Sequence, residues 1–289
     1  MAHLLTTGTA LLKVGNNVFR VRDKFNYVYT YLNATSPIGI CFDPIEANNR
    51  FFVCNLNVNT VTVFNSITLA VIATISNLSS PTGIAFDPNP EHNRFAVTCS
   101  GNNSVVVYDA TNFTILSTIS GFNNPFGIAF DPVSINNRMV VCNVNTNSVS
   151  IIDTVTYTIT STLTGVTFPF GIAFDPVLAN NRILVCGYGG IVYSVDATNL
   201  SIITDTTGFG NQTIGITFDI TEQNNRFLVC ASQSGALSIA DSGTLAVTGT
   251  LIPFTNPRCI AFDPIRANNR FFVSDFGANK IVLINQIES

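Results

Sequence analysis

Residues 125–138 read Pro125-Phe126-Gly127-Ile128-Ala129-Phe130-Asp131-Pro132-Val133-Ser134-Ile135-Asn136-Asn137-Arg138. An apolar run, an Asp-Pro turn, a pair of asparagines and an arginine opening a second apolar run describe strand, turn, strand. The phrase returns along the chain. Its aspartate stands at Asp43, Asp87, Asp131, Asp175, Asp219 and Asp263, each 44 residues after the last. Seven residues beyond each aspartate is an arginine: Arg50, Arg94, Arg138, Arg182, Arg226 and Arg270. A fixed period in this range marks a propeller, a solenoid or an array.

One full repeat, residues 36–79, reads as four strands. Strand A is Gly39–Phe42, strand B Arg50–Cys54, strand C Thr60–Phe64 and strand D Ala70–Ile75, with Asn, Asp, Ser and Pro between them. No segment holds a helical period. The expected class is all-β, a single propeller of four-stranded antiparallel blades. The run Pro125-Phe126-Gly127-Ile128-Ala129-Phe130-Asp131, repeated at Pro169-Phe170-Gly171-Ile172-Ala173-Phe174-Asp175, resembles the YVTN and NHL families of β-propellers. The resemblance covers residues 36–285. It implies a fold that hosts binding modules, scaffolds and enzymes alike.

The sixth repeat stops after strand C (Lys280–Asn285) and lacks strand D. Tyr27-Val28-Tyr29-Thr30-Tyr31-Leu32 supplies that strand if six blades close the ring. Leu11–Val14 and Val18–Val21 nevertheless look like strands B and C, with His3–Thr6 as a short strand A. That favours seven blades, because six leave these residues without a sheet to join. The approximate blades within one domain over 1–289 are then 2–33, 34–77, 78–121, 122–165, 166–209, 210–253 and 254–289.

Composition removes several functions. Charged residues make up 10% of the chain, against roughly 25% in typical domains. The repeat pair takes six of the 13 basic and six of the 17 acidic side chains. A net charge of −4 and a pI near 5.0 oppose nucleic-acid binding. Lys13, Arg20, Arg22 and Lys24 alternate with apolar residues, as on a solvated strand face. Mean hydropathy is high at +0.37, yet no run approaches the 18 or so apolar residues of a membrane helix. The first residues lack the pattern of a signal peptide, so a cytoplasmic location is expected and no membrane partner. Four of the seven cysteines (Cys54, Cys142, Cys186, Cys230) share one strand position in successive repeats. Such positions are too far apart for a disulfide, and reduced, buried thiols are expected.

The recurrence of Asp…Asn-Arg in every unit marks it as architecture rather than a site. A second acidic series, Asp23, Asp109, Asp153, Asp196 and Asp241, falls where strand C turns into D. There are two histidines, His3 and His92. The second replaces the first asparagine of the turn, a place where His tolerates a left-handed backbone. No triad, paired carboxylates or His-rich cluster stands out, so no enzyme activity and no cofactor are expected.

Departures from the repeat are the better guides. After the proline between D and A, or its equivalent, come Ile38, Thr82, Phe126, Phe170, Ile214 and Arg258. Arg258 is the one charge in this ring, and Cys259 follows it where five repeats have glycine. Asp275 is the one acid in the B–C loops, so Arg258 and Asp275 are expected to pair. The alternative is a polar anchor for a ligand beside Phe126, Phe170 and Tyr188 at the channel mouth. The leading reading is a non-enzymatic scaffold presenting these loops to a protein or peptide partner. Resemblance to lactonase-type propellers implies a second, a metal-dependent hydrolase holding a divalent ion with Asn and acidic side chains. A third is a coat or surface-layer subunit in contact through Tyr27, Tyr29 and Tyr31.

Overall fold

The structure, a computed structural model, describes residues 10–14, 17–21, 26–219 and 225–287, with side chains over 29–219 and 225–285. A two-stranded hairpin comes first, β1 (Ala10–Val14) against β2 (Asn17–Val21), followed by β3 (Asn26–Asn33). The first blade is β4 (Pro37–Phe42), β5 (Arg50–Asn55), β6 (Thr60–Asn65) and β7 (Val71–Ile75), paired antiparallel in that order. Blades two to five repeat it as β8–β11 over 81–119, β12–β15 over 125–164, β16–β19 over 169–206 and β20–β23 over 213–251. The last is β24 (Pro257–Phe262), β25 (Arg270–Asp275) and β26 (Lys280–Ile287), completed by β3. The chain is a six-bladed β-propeller.

Seven blades are thus corrected to six. β3 runs antiparallel to β26 from Asn33↔Lys280 to Asn26↔Ile287 and supplies the missing outer strand. Innermost strand β24 packs directly on β4, so no gap remains for another blade. The boundary drawn over 2–33 fails with it, since β3 belongs to the final blade and, among the described residues, β1 and β2 pair only with each other. The strand expected at His3–Thr6, Arg22 to Lys24, and the side chains of Lys13, Arg20 and Tyr27 lie outside the described residues.

Apolar side chains fill the spaces between neighbouring sheets, which is why the strands are apolar on both faces. The seam between the last and first blades is sealed the same way. Phe272 meets Phe51 edge-on at 4.7 Å and Phe42 at 4.9 Å, and both Phe51 and Phe272 are fully buried. Each such ring contributes about 1.5–3 kcal/mol through burial. Tyr29 is buried in the core between the fifth and last blades at 5% exposure, so it does not share the expected contact surface, whereas Tyr31 remains exposed.

The A–B and C–D turns make up one face of the disc. In five blades the repeat aspartate's Oδ1 accepts the backbone N–H two residues on, at 2.8–3.0 Å. Its Oδ2 accepts the arginine Nε at 2.5–2.8 Å in all six. Asn48, Asn136, Asn180 and Asn268 add a third bond to the carboxylate. In the second blade His92 Nδ1 takes that role, 2.8 Å from Asp87 Oδ2. The left-handed residue there is Asn93, not His92, so histidine is present for its ring nitrogen and not for its backbone.

The far end of the guanidinium reaches the next blade. Arg50 donates to the Ala110 carbonyl, Arg94 to Thr154, Arg182 to Ser242 and Arg270 to Ser66. The last bond crosses the ring closure. These four arginines therefore fix their own turns and bolt two blades together. The second acidic series caps the C–D turns: Asp109, Asp153, Asp196 and Asp241 accept amide N–H bonds from the residues that follow. Asp23 lies outside the described residues.

Candidate functional site

The D–A and B–C loops make up the opposite face, around the mouth of the central channel. Four asparagines fix this rim. Asn59, Asn103, Asn147 and Asn279 hold left-handed backbones, and each side-chain oxygen accepts an amide N–H from the neighbouring D–A loop, at Ser80, Asn124, Phe168 and Ser36. In blades four and five the loop turns instead through Gly190 and Gly235, both at positive φ.

Just inside, the innermost strands converge to a throat of about 50 Å³. Glycine makes this approach possible. A Cβ on Gly39, Gly83, Gly127, Gly171 or Gly215 would lie 2.1–2.6 Å from the carbonyl oxygen of the next innermost strand. Those oxygens are backbone and have nowhere to move. In the last blade the position is Cys259, whose thiol lies 3.8 Å from the Ile40 carbonyl. The first–last seam accepts a side chain where the other five reject one.

Three of the five candidate residues meet at this throat. Phe126, Phe170 and Arg258 all line it, and the Phe126 and Phe170 rings pack edge-to-face at 5.2 Å and 90°. The Arg258 guanidinium carbon sits 5.1 Å from the centre of the Phe276 ring, a cation–π contact. Its Nε is buried with no hydrogen-bond partner among the described residues. Burial lowers the pKa of the guanidinium, while the neighbouring Cys230 thiol acts in the opposite direction. The group remains a cation at any ordinary pH.

Asp275 does not pair with Arg258. It is 3% exposed, and its two oxygens accept the amide N–H groups of Thr255 and Asn256, each at 2.8 Å. The expected ion pair fails because the D–A loop brings two unsatisfied amides closer to the carboxylate than the guanidinium. Asn143 does similar work in the third blade, accepting the Asn123 amide. A divalent ion wants several free oxygen donors with carboxylates among them. Asp275 has none to offer, and no group of three or more His, Cys, Asp or Glu is placed to hold a metal among the described residues. The donor set does not fit the ion that a lactonase-type site implies.

Tyr188 stands apart. It is 50% exposed on the rim of the fourth blade, 6.1 Å from the ring of Phe168, itself 45% exposed. Phe168 and Phe276 are the aromatic residues that the sequence reading passed over. Both break the repeat. Phe168 stands before its proline where other repeats have Ser36, Ser80, Asn124, Gln212 or Asn256, and it holds a positive φ of 41°. Phe276 occupies the same repeat position as Tyr188.

A scan against protein families finds no match, and no curated protein matches the chain. Among solved structures the chain is similar to the hydrazine synthase of Kuenenia stuttgartiensis, with a TM-score of 0.67 and 12% identity over 88% of this chain and 96% of that chain. At that identity the likeness concerns the fold alone.

Proposed function

We propose that this propeller is a non-enzymatic binding module of the YVTN/NHL-like kind, working in a reducing compartment such as the cytoplasm. It receives a protein or peptide partner at the throat of the D–A/B–C face. The observation that carries the reading is Arg258, a cation with a buried, unpartnered Nε beside Phe126, Phe170 and Phe276. A buried donor without an acceptor is costly, and a carboxylate arriving from a partner relieves that cost through charge-assisted hydrogen bonds. The Phe126–Phe170 pair offers apolar contact to the residue beside the carboxylate, and the exposed Phe168–Tyr188 pair extends it along the rim.

Selection from a displayed random-peptide library on the immobilised protein tests the reading. Enriched peptides should carry a carboxylate next to an aromatic or aliphatic residue. Their binding should vanish with Arg258→Ala and weaken with Phe170→Ala. Enrichment that ignores both substitutions, or no enrichment at all, overturns it.

One observation favours a second reading, lateral assembly as a coat or surface-layer subunit. The outer strands β7 and β11 end their sheets with an open edge and expose Val71, Ile72, Ile115 and Leu116. Edges of this kind template pairing with another chain unless charge or proline blocks them. Light scattering across a concentration series tests it, with Ile72→Lys expected to suppress any assembly.

A further inference from the structure

Beyond the throat the channel widens toward the face of the A–B turns into a chamber of about 390 Å³. Five blades contribute the same sequence to the wall: an isoleucine, a small residue, a phenylalanine and the proline after the aspartate, as in Ile128, Ala129, Phe130 and Pro132, while the fifth blade contributes Ile216 and Thr217 among the described residues. No charged side chain is among its described lining residues. The Asp–Arg clamp of the A–B turn explains why. The aspartate between phenylalanine and proline turns its carboxylate away into the turn, as Asp131 does toward Val133, Asn136 and Arg138. The most charge-rich motif of the repeat thus encloses an uncharged hollow.

Symmetry breaks in the small-residue layer. Ala85, Ala129, Ala173 and Ala261 recur there, but the first blade has Cys41 and the fifth Thr217. Thr217 is half-buried, and its hydroxyl has no hydrogen-bond partner among the described residues. An ion entering this hollow would lose hydration without gaining a counter-charge. Water bound to isoleucine, alanine, phenylalanine and proline lacks hydrogen-bond partners, so an apolar guest gains by displacing it. Lining and size both fall within the range of small-molecule sites, at the small end.

We infer that the chamber binds a compact, uncharged molecule: an aromatic or short alkyl body against the isoleucine and phenylalanine rings, with one hydroxyl or carbonyl hydrogen-bonded to Thr217. The site lies on the far side of the throat from Arg258 and stands independently of the peptide-binding reading.

Ligand-observed fluorine NMR on the full chain, with 4-fluorophenol and fluorobenzene as probes, tests the site. Both should bind saturably. Ala173→Phe fills the chamber and should abolish binding while the thermal transition persists. Should that variant not fold, Ala129→Leu is the milder filler and should weaken both probes at least tenfold. Thr217→Val should weaken 4-fluorophenol about fivefold, the loss of one neutral hydrogen bond, and leave fluorobenzene unchanged. No saturable binding, or binding indifferent to the filling substitutions, overturns the site. Equal affinity of 4-fluorophenol for the parent and Thr217→Val overturns the hydrogen-bonded anchor.

Discussion

The two faces of the disc are built from the same six repeats and differ in how faithfully they repeat. On the A–B/C–D face the Asp–Arg bond forms in every blade, and arginines reach across at least four blade boundaries to a backbone carbonyl. On the D–A/B–C face the equivalent positions hold isoleucine, threonine, phenylalanine and arginine, and the rim asparagines give way to glycine in two blades. Uniformity on one side is what ring closure requires, because each clamp has the same two neighbours to join. Variation on the other side sits where a channel opens and no neighbour dictates the side chain. The first face builds the ring, and the second is free to recognise something.

The comparison breaks most readily at a clamp. Asp131→Ala leaves the Arg138 guanidinium without its buried counter-charge and should lower unfolding stability by about 3–5 kcal/mol in urea titration. A loss below about 1 kcal/mol would mean that the turn face is held by packing alone. Gly127→Ala should come next. Its Cβ would lie 2.3 Å from the Phe170 carbonyl, and about 1–3 kcal/mol should be lost in the same titration. Cys259→Ala, at the matching position of the permissive seam, should change stability by less than that.

Smaller effects sharpen the contrast from the other side. Arg258→Met removes a buried donor that has no hydrogen-bond partner among the described residues, so stability should stay within about 1 kcal/mol of the parent or rise, while peptide binding is lost. The smallest effect is acid dependence. Amide and hydroxyl donors from Thr156, with the Val155 amide, hold the Asp153 carboxyl below its ordinary value, and Thr244 does the same for Asp241. A folded-state pKa below the unfolded one stabilises above the unfolded value, near 3.9, and that stability is lost as pH falls through the folded value. Both side chains are half-buried at the turn surface and the effect is small. Asp153→Asn should flatten the acid limb of a stability–pH curve slightly and leave it unchanged above about pH 5.

Much of this was written in the period. The spacing of Asp131 and Arg138 placed the turn, and its recurrence gave four strands per blade. Blade number was not legible, because an apolar alternation says that Leu11–Val14 forms a strand without saying which edge awaits it. That edge belonged to β26, at the other end of the chain, and β3 took it. The Arg258–Asp275 pair misled for a related reason. Opposite charges are visible in a sequence, but the competing amides of Thr255 and Asn256 appear only once the loop is folded. The chamber was hidden by its own regularity. Its alanines and prolines recur, and recurrence was read as architecture, although five copies of an apolar quartet also enclose a space.

The most direct test is a saturation substitution scan of the whole chain, read in parallel for folded abundance and for binding of an enriched peptide. Division of labour between the faces predicts that abundance-sensitive polar positions recur every 44 residues on the clamp face. Positions that abolish binding while sparing abundance should gather at Phe126, Phe170 and Arg258. Binding-specific positions on the clamp face, or an Arg258 whose loss unfolds the protein, would contradict it.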